Sequence, residues 1–466
     1  MPAPALVASP LRFALRAVVA LFAVAWLTAC GLTGPASELE KIQAKLPTAD
    51  GYNVLVVSFD ALRADALGVY GAGDDVSPRL DAFAAESLVF DNAYSVAPVT
   101  PTSFAAAFTG MLPTRVFHAW KLKVEDTIAQ RFKDAGYTTG AILNNVQLSA
   151  ERHFDNGFEH FQMMRSRPDR EVLNAALEYF NGYLEAAEDA GKAEKPFFTW
   201  VHFLSPHSPY TRRPESEHLY DPDYEGDFVD TSGQPFAPED PKDIERLWQL
   251  YLGEVYAVDR LFGELIDFLQ SSGLLEKTII VVTSDHGEEF GEHGGFQHDR
   301  LTEEHILVPI IVRHPQTADQ PLRSPLLASN VDFKPSLLRL VGLEFDAAVD
   351  GRDWRRLEEP PAHIVGVSMT GGKQRWLSLR DGQEKLIQTC LPATEQRLFD
   401  LVQDPGEKQD VAAGNERRVR ELYRDLGVIL GGEPCKVMQN AVRGKDVTTG
   451  MNDEDLEALR SLGYIN

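Results

Sequence analysis

Three apolar runs, each followed by an acidic or imidazole side chain, constrain this fold more than any other feature of the sequence. The runs are rich in β-branched and aromatic residues, which suits strands that are buried on both faces of a parallel sheet. They cover residues 53–59, 196–204 and 279–282, and they are followed by Asp60, His207, and Asp285 with His286, respectively. We therefore predict an α/β fold in which these strands belong to one sheet.

The polar residues at the strand ends predict a shared site. Ligands of open α/β sheets bind at the carboxyl ends of the strands, and carboxylate and imidazole groups are common ligands of divalent metals. Gly287 lets the backbone turn sharply after Asp285 and His286. The alternative is that each polar residue only marks a strand-to-loop turn, but three such ends favour one polar site at the rim of the sheet.

A threonine lies at the predicted start of a short helix. Thr100 is a suitable N-cap, Pro101 fits the first helical position, and Gly110 fits the end of the helix. Free N–H groups and the helix dipole would then converge beside the Thr100 hydroxyl, which is a typical anion site. The alternative is that Thr100 only caps the helix.

The sequence changes character after about residue 345. Residues 51–345 alternate between predicted strands and helices, which indicates a mostly parallel central sheet flanked by helices. Residues 346–466 contain short alternating segments followed by two helical ones, which indicates a small antiparallel sheet with helices. The four short segments are residues 363–368, 375–379, 385–390 and 397–401. Residues 30–50 are predicted to be a tether, with or without a short helix.

The formal net charge of −25 restricts the partners. Nucleic-acid binding requires a basic surface, so a nucleic-acid partner is not expected. An anionic substrate would need a local cation, such as a metal ion, to overcome the general negative field.

The N-terminus resembles a bacterial lipoprotein signal. Arg12 and Arg16 precede an apolar run, residues 17–27, that is short for a permanent membrane helix. The run ends in Leu-Thr-Ala-Cys-Gly, which predicts a signal peptide over residues 1–29 and a lipid on Cys30. The alternative is an uncleaved anchor. Either version exports the protein and holds it at a membrane.

Cys390 and Cys435 are the two other cysteines. In an oxidising compartment they could form a disulfide, or they could be two unrelated buried thiols. Neither lies near the predicted strand ends in sequence.

With these pieces in place, the chain resembles the sulfatase family of the alkaline phosphatase superfamily, from about Tyr52 to the C-terminus. The resemblance rests on a series of short motifs that occur in the family's order. They are Asp60-Ala61-Leu62-Arg63-Ala64-Asp65, Thr109-Gly110, Pro206-His207-Ser208-Pro209-Tyr210, Ser284-Asp285-His286-Gly287-Glu288, Gly291-Glu292-His293-Gly294 and Leu398-Phe399-Asp400-Leu401. Each motif is weak alone, and together they are specific.

The resemblance implies a divalent metal ion, with calcium, manganese, zinc and magnesium as candidates. Its ligands would be Asp60, Asp285 and His286, with the nucleophile also in contact. His207 and His298 would hold the oxyanion of the substrate or protonate the leaving group, and His298 lies where many sulfatases carry a lysine. Asn145, just after a predicted strand over residues 138–143, is a further candidate for substrate binding.

The departures from the family pattern concern the nucleophile. Sulfatases oxidise a Cys or Ser in Cys-x-Pro-x-Arg to formylglycine, and that position here is Thr100, with Phe104 in place of the arginine. Oxidation of a threonine would give a ketone, so this route is closed. Ser103 would face away from the site. Ala61 replaces a carboxylate and Ser205 stands where relatives have Asp, which favours a single metal.

The leading hypothesis is a metal-dependent hydrolase of phosphate or sulfate esters with Thr100 as nucleophile and metal contact, and with phosphoester chemistry favoured. The substrate would be an anionic ester, either a small molecule or a group on a glycan or lipid. One alternative is a transferase that moves a phospho-group onto an envelope glycan or lipid. Another is a catalytically degenerate binding protein that keeps the fold.

The predicted lipid anchor can be tested at Cys30. Cys30→Ala removes the only thiol that the signal presents for acylation, so the variant should incorporate no labelled fatty acid. Cys390→Ala keeps Cys30 and should be labelled like the native protein. Labelling of the Cys30→Ala protein would contradict the prediction.

Overall fold

The computed structural model describes residues 36–461, except 74, 167, 191–194, 227, 229, 232–236, 346–347, 358–362, 370–373, 442–447 and 449–450. The predicted signal peptide, residues 1–29, and the predicted lipid attachment site at Cys30 lie outside the described residues. Within the described part of the chain, no helix combines the length and the apolar character needed to cross a membrane.

An eight-stranded sheet forms the centre of the molecule. The strands of the described chain are β1 (Asn53–Asp60), β2 (Leu88–Tyr94), β3 (Phe117–His118), β4 (Lys121–Leu122), β5 (Thr138–Leu143), β6 (His160–Met163), β7 (Phe197–Pro206), β8 (Thr278–Ser284), β9 (Glu289–Phe290), β10 (Phe296–Gln297), β11 (Ile310–Arg313), β12 (Leu322–Ser329), β13 (Ile364–Ser368), β14 (Arg375–Asp381), β15 (Glu384–Leu391) and β16 (Glu395–Asp400). The order in the large sheet is β12-β2-β11-β8-β1-β7-β5-β6. Only β11 pairs antiparallel with its neighbours in this sheet, so the predicted mostly parallel sheet is confirmed.

β1 lies in the middle of this sheet, between β8 and β7, and all eight of its residues are buried. Alternate side chains of a strand point to opposite faces, so Val54 and Val56 join one apolar core while Leu55, Val57 and Phe59 join the other. The sequence run is therefore apolar throughout because both faces of the strand are covered.

The described chain has twelve α-helices, several of which cover the two faces of this sheet. They are α1 (Glu38–Lys45), α2 (Pro78–Ala84), α3 (Thr100–Thr109), α4 (Pro113–Val116), α5 (Ile128–Asp134), α6 (Asp169–Ala190), α7 (Pro241–Ser271), α8 (Glu303–Ile306), α9 (Phe333–Leu340), α10 (Glu416–Leu430), α11 (Pro434–Ala441) and α12 (Asp453–Ser461). α1 is the short helix anticipated in the predicted tether. It begins with a capping box of Ser37 and Glu40, and it buries Ile42 against the core.

The prediction that Thr100 is an N-cap is wrong. Thr100 is the first residue of α3, Val99 holds the N-cap position, and no side chain caps the helix there. Thr100 is fully buried, and its hydroxyl points into the polar cluster described below instead of back to the helix. The predicted end is correct, because Gly110 adopts a φ of 71°, which favours glycine.

The C-terminal part forms the predicted small antiparallel sheet, in the order β13-β14-β15-β16. α10 packs on β14 and β15, and buries Leu422 and Leu426. The cysteine pairing that the sequence left open is present, because a disulfide joins Cys390 of β15 to Cys435 of α11. The disulfide therefore links α11 covalently to the small sheet.

A buried carboxylate of α7 supports the start of α2. Asp259 accepts hydrogen bonds from the backbone N–H groups of Arg79 at 3.0 Å and Leu80 at 2.7 Å. Burial nevertheless dominates and raises the pKa of Asp259 from its usual 3.8 to about 7. A carboxyl group whose pKa is raised in the folded state makes stability fall as the pH rises from about 4 to about 7.

The raised pKa of Asp259 predicts the pH dependence of an Asp259→Asn variant. The difference in unfolding free energy, native minus variant, should fall by on the order of 2–4 kcal/mol between pH 4 and pH 7, since one pKa unit corresponds to about 1.4 kcal/mol. Denaturant unfolding at several pH values measures it. Asp267→Asn changes an exposed carboxylate of the same helix and is the control. An equal slope for both variants would contradict the assignment.

Candidate active site

The carboxyl ends of β1 and β8 bring a group of potential metal ligands together. Asp60, Asp285 and His286 each offer one ligand atom, and these atoms lie within 4.8 Å of one another. All three side chains are fully buried. The structure therefore brings together the three residues that the sequence predicted to lie around one point.

The register of the two strands explains this convergence. β1 and β8 are parallel neighbours, with Phe59 opposite Ser284, so Asp60 and Asp285 follow at adjacent strand ends. Asp285 Oδ1 accepts hydrogen bonds from the N–H groups of Ala61 at 3.0 Å and His286 at 2.9 Å. These bonds fix the Asp285 side chain against the turn that follows β1.

The donor set fits a bound cation. Asp60 Oδ1 and Asp285 Oδ2 are buried and have no hydrogen-bond partner in the described part of the chain. His286 Nε2 lies 3.7 Å from the first of these oxygens and 3.4 Å from the second. Buried carboxylate oxygens are costly unless they are paired or coordinate a metal, and oxygen and imidazole donors suit a divalent ion.

The two carboxylates have opposite pKa shifts. Burial raises the pKa of Asp60, but His207, His202 and His286 more than offset it, so that the pKa lies below its usual value. Burial and then the charge of Asp60 raise the pKa of Asp285. Two buried carboxylates at this distance disfavour each other's ionisation, which again indicates a site built for positive charge.

Thr100 lies beside these ligands. Its Oγ1 is 3.4 Å from His286 Nε2, and it accepts a hydrogen bond from Asn145 Nδ2 at 3.3 Å. The same Asn145 nitrogen donates to Asp60 Oδ2 at 2.6 Å. The structure thus places both Thr100 and Asn145 in the cluster.

Neighbouring positions on α3 point elsewhere. Ser103 Oγ accepts a hydrogen bond from Asn330 Nδ2 at 2.7 Å, away from Asp60 and Asp285, as predicted. Phe104 packs its ring 4.6 Å from that of Trp200 and 5.3 Å from that of His202. The position expected to carry an arginine is therefore part of the aromatic core beneath the site.

Two further histidines complete the cluster. The His298 ring stacks on His286 with 4.1 Å between centroids, and His207 lies 5.0 Å from His298. Glu288 Oε1 is 3.2 Å from His298 Nδ1, and Tyr210 donates its hydroxyl to Glu288 Oε2 at 2.9 Å. Burial raises the pKa of Glu288, but the three histidines outweigh it, so the pKa lies below its usual value.

Sequence reasoning missed His202 and Glu288. His202 Nε2 lies 3.3 Å from Asp60 Oδ2, and its Nδ1 lies 2.9 Å from Ser58 Oγ. The available sequence signal was a histidine inside the apolar run over residues 196–204. Its position opposite Ser58 depends on the strand register, which only the structure shows. For Glu288, the available sequence signal was its position directly after the Asp285-His286-Gly287 turn.

Comparison with known proteins identifies the family. The family described as Sulfatase matches residues 52–343. The chain belongs to the sulfatase family. The ulvan-active sulfatase of Formosa agariphila is 28% identical over 405 residues, which cover 77% of this chain and 76% of the relative. The choline-sulfatase of Rhizobium meliloti is 24% identical over 435 residues, with 77% and 82% covered.

Solved structures share the fold of this chain. A protein solved in complex with its substrate, D-glucosamine-2-N,6-O-disulfate, has a TM-score of 0.68 at 20% identity, covering 87% of this chain and 99% of that one. The phosphonate monoester hydrolase of Agrobacterium radiobacter has a TM-score of 0.65 at 18% identity, covering 80% and 96%. The predicted family, fold class and enzyme class, a hydrolase acting on ester bonds, are confirmed. The roles of individual residues stay predictions.

The proposed metal ligands Asp60, Asp285 and His286 can be tested by metal removal. In chelator-treated protein, Asp285→Asn should raise the melting temperature, because it removes one of two repelling buried charges. Divalent ions added at 100 times their dissociation constant should stabilise the native protein by about 2.7 kcal/mol. The Asp285→Asn variant should lose most of this stabilisation. Thermal unfolding with calcium, magnesium, manganese or zinc measures both effects.

The control for this test is Asp332→Asn, which changes a buried carboxylate outside the Asp60, Asp285 and His286 group. It should keep the full response to metal. An Asp285→Asn protein with a native response would show that these residues are not the ligands.

Proposed function

We propose that this sulfatase-family protein is a metal-dependent hydrolase of phosphate or sulfate esters that uses Thr100 as its nucleophile, with phosphoesters favoured. The observation that carries the proposal is the position of Thr100 Oγ1, which lies 3.4 Å from His286 Nε2 and is joined to Asp60 through the Asn145 side-chain amide. A hydroxyl that only served the helix would not be fully buried among those groups.

The side chain of Thr100 favours phosphorus chemistry. Its Cβ carries a methyl group, so oxidation would give a ketone and not the aldehyde that the formylglycine mechanism requires. As an unmodified hydroxyl, Thr100 can attack the phosphorus of an ester. Thr100 Oγ1 loses its proton to water and forms a bond to phosphorus, while the bond to the leaving oxygen breaks and that oxygen takes a proton from His207 or His298. Water later cleaves the phosphothreonine, releasing phosphate when the substrate is a monoester and a phosphate monoester when it is a diester.

Asp60, Asp285 and His286 would hold a single divalent ion, with calcium, manganese, zinc and magnesium as candidates. When bound, such an ion supplies positive charge that lowers the pKa of a neighbouring hydroxyl and stabilises charge on the ester oxygens. Asn145 holds both Asp60 and Thr100 by hydrogen bonds, and so fixes the distance between a ligand and the nucleophile.

The N-terminus of α3 and the histidines His207 and His298 are proposed to bind the substrate. The first N–H groups of a helix have no partner inside the helix, and with the helix dipole they attract the oxyanion of an ester bound beside Thr100. The ring of His298 stacks on that of His286 and the ring of His207 lies 6.5 Å from it, and both histidines are assigned to hold the ester and to give a proton to the leaving oxygen. Glu288 orients the ring of His298 through Nδ1.

A sulfate ester is the second candidate substrate, because the two relatives named by sequence are an ulvan-active sulfatase and a choline-sulfatase. Either substrate is an anionic ester, as a small molecule or as a group on a glycan or lipid. Export and lipid attachment at Cys30 belong to the same proposal, since the motif at residues 27–31 supports them.

Substitutions at Thr100 test the nucleophile. Thr100→Ala should fold, because the side chain makes no capping bond, and should lower turnover of an aryl phosphodiester by at least about 10³-fold. Thr100→Ser keeps a hydroxyl and should retain part of the activity. Rates on aryl sulfate, phosphate monoester, phosphodiester and phosphonate substrates, with metal added, give the preferred ester.

Ser103→Ala is the matched control, since this neighbouring hydroxyl of α3 bonds to Asn330 outside the cluster. Its activity per folded molecule should stay close to native. Intact-mass measurement during turnover should detect a phosphate adduct on the native protein and not on Thr100→Ala. Full activity of a folded Thr100→Ala protein would exclude Thr100 as the nucleophile.

A further inference from the structure

A second group of potential ligands lies outside the active site. Glu289, Glu304 and His305 each offer one ligand atom, and these atoms lie within 4.8 Å of one another. Glu289 begins the hairpin of β9 and β10, whereas Glu304 and His305 belong to α8. The group therefore joins two separate segments, and it shares no residue with the Asp60, Asp285 and His286 group.

The hydrogen bonds around His305 define its tautomer. Thr302 donates its single hydroxyl hydrogen to Glu304 Oε1 at 2.5 Å. The same Thr302 oxygen lies 2.9 Å from His305 Nδ1, so it acts as the acceptor there and Nδ1 carries the hydrogen. In the neutral ring, Nε2 then presents a lone pair.

That lone pair faces a carboxylate. His305 is fully buried, and its Nε2 has no hydrogen-bond partner among the described residues. Glu289 Oε2 lies 3.6 Å away, which is too long for a hydrogen bond. Two ligand atoms that share a zinc ion at about 2.0–2.2 Å are separated by roughly 3.3–3.6 Å in tetrahedral geometry. The spacing therefore matches a pair of ligands better than a bonded pair.

The remaining contacts of Glu289 leave one oxygen for an ion. Oε1 accepts the N–H groups of His293 at 2.7 Å and Gly295 at 2.8 Å. Oε2 faces His305 and also Arg300, whose Nη1 is 3.3 Å away. Arg300 competes with a cation for this oxygen, and its guanidinium also donates to the carbonyl of His293.

We propose that Glu289, Glu304 and His305 form a second metal site that takes a zinc-type divalent ion. Mixed imidazole and carboxylate donors suit zinc and its neighbours in the transition series better than calcium or magnesium, which prefer oxygen alone. The ion would fasten the hairpin to α8. Because His298 follows the last residue of β10 directly, the site would also steady the segment that carries this histidine.

The experiment uses the full chain with the first site removed. The Asp60→Asn/Asp285→Asn protein is treated with a chelator, dialysed against zinc, and analysed for bound metal. It should retain one zinc per chain, whereas the native protein should retain two. With cobalt in place of zinc, the double variant should show the visible d–d absorption bands of a cobalt ion bound in a low-coordinate protein site.

Addition of His305→Ala to this background should weaken zinc binding by at least about 100-fold, since loss of a ligand costs more than the 10–100-fold typical of outer contacts. His314→Ala is the matched control, because His314 is also buried with unpartnered ring nitrogens in the described structure but lies in no ligand group. It should leave the metal content unchanged. Circular dichroism establishes that each variant is folded.

Two results would overturn the proposal. Retention of no zinc or cobalt by the folded double variant would show that Glu289, Glu304 and His305 hold no ion. Unchanged binding after His305→Ala would place the ion elsewhere. Because the first result needs no substitution in the second site, it decides the question even if His305→Ala does not fold.

Discussion

Two buried carboxylates at adjacent strand ends are the constraint on which the rest of this structure depends. Asp60 and Asp285 are fully removed from solvent, where like charges repel strongly because the local dielectric is low. Hydrogen bonds from Ala61 and His286 satisfy one oxygen of Asp285, and Asn145 satisfies one oxygen of Asp60. The oxygens that remain define a place for positive charge.

Side chains of β1 and β7 support the Asp60 carboxylate. His202 of β7 reaches Asp60 from the neighbouring strand and is fixed in turn by Ser58 of β1. Trp200 donates to the same serine hydroxyl at 2.8 Å, and Phe104 of α3 packs against both rings. Phe104 thus anchors α3, the helix that carries Thr100, to β7, the strand whose His202 contacts Asp60.

Consecutive residues after β8 serve different parts of the molecule. Glu288 turns toward His298 and Tyr210 in the active site. Glu289 holds the loop of the hairpin and faces His305. Adjacent residues of an extended chain point in opposite directions. One short segment therefore contacts both the active-site histidine His298 and the buried His305 of α8.

The sequence alone determined the fold class and the residues at the strand ends, because buried parallel strands have a continuous apolar pattern and ligands collect at their carboxyl ends. It indicated Asp60, Asp285, His286 and Thr100 without showing their distances. Only the tertiary structure decided that Thr100 is not an N-cap and that Cys390 pairs with Cys435. Only the tertiary structure showed that His202 contacts Asp60. This contact arises from the strand register between segments far apart in the chain, which local sequence patterns do not encode.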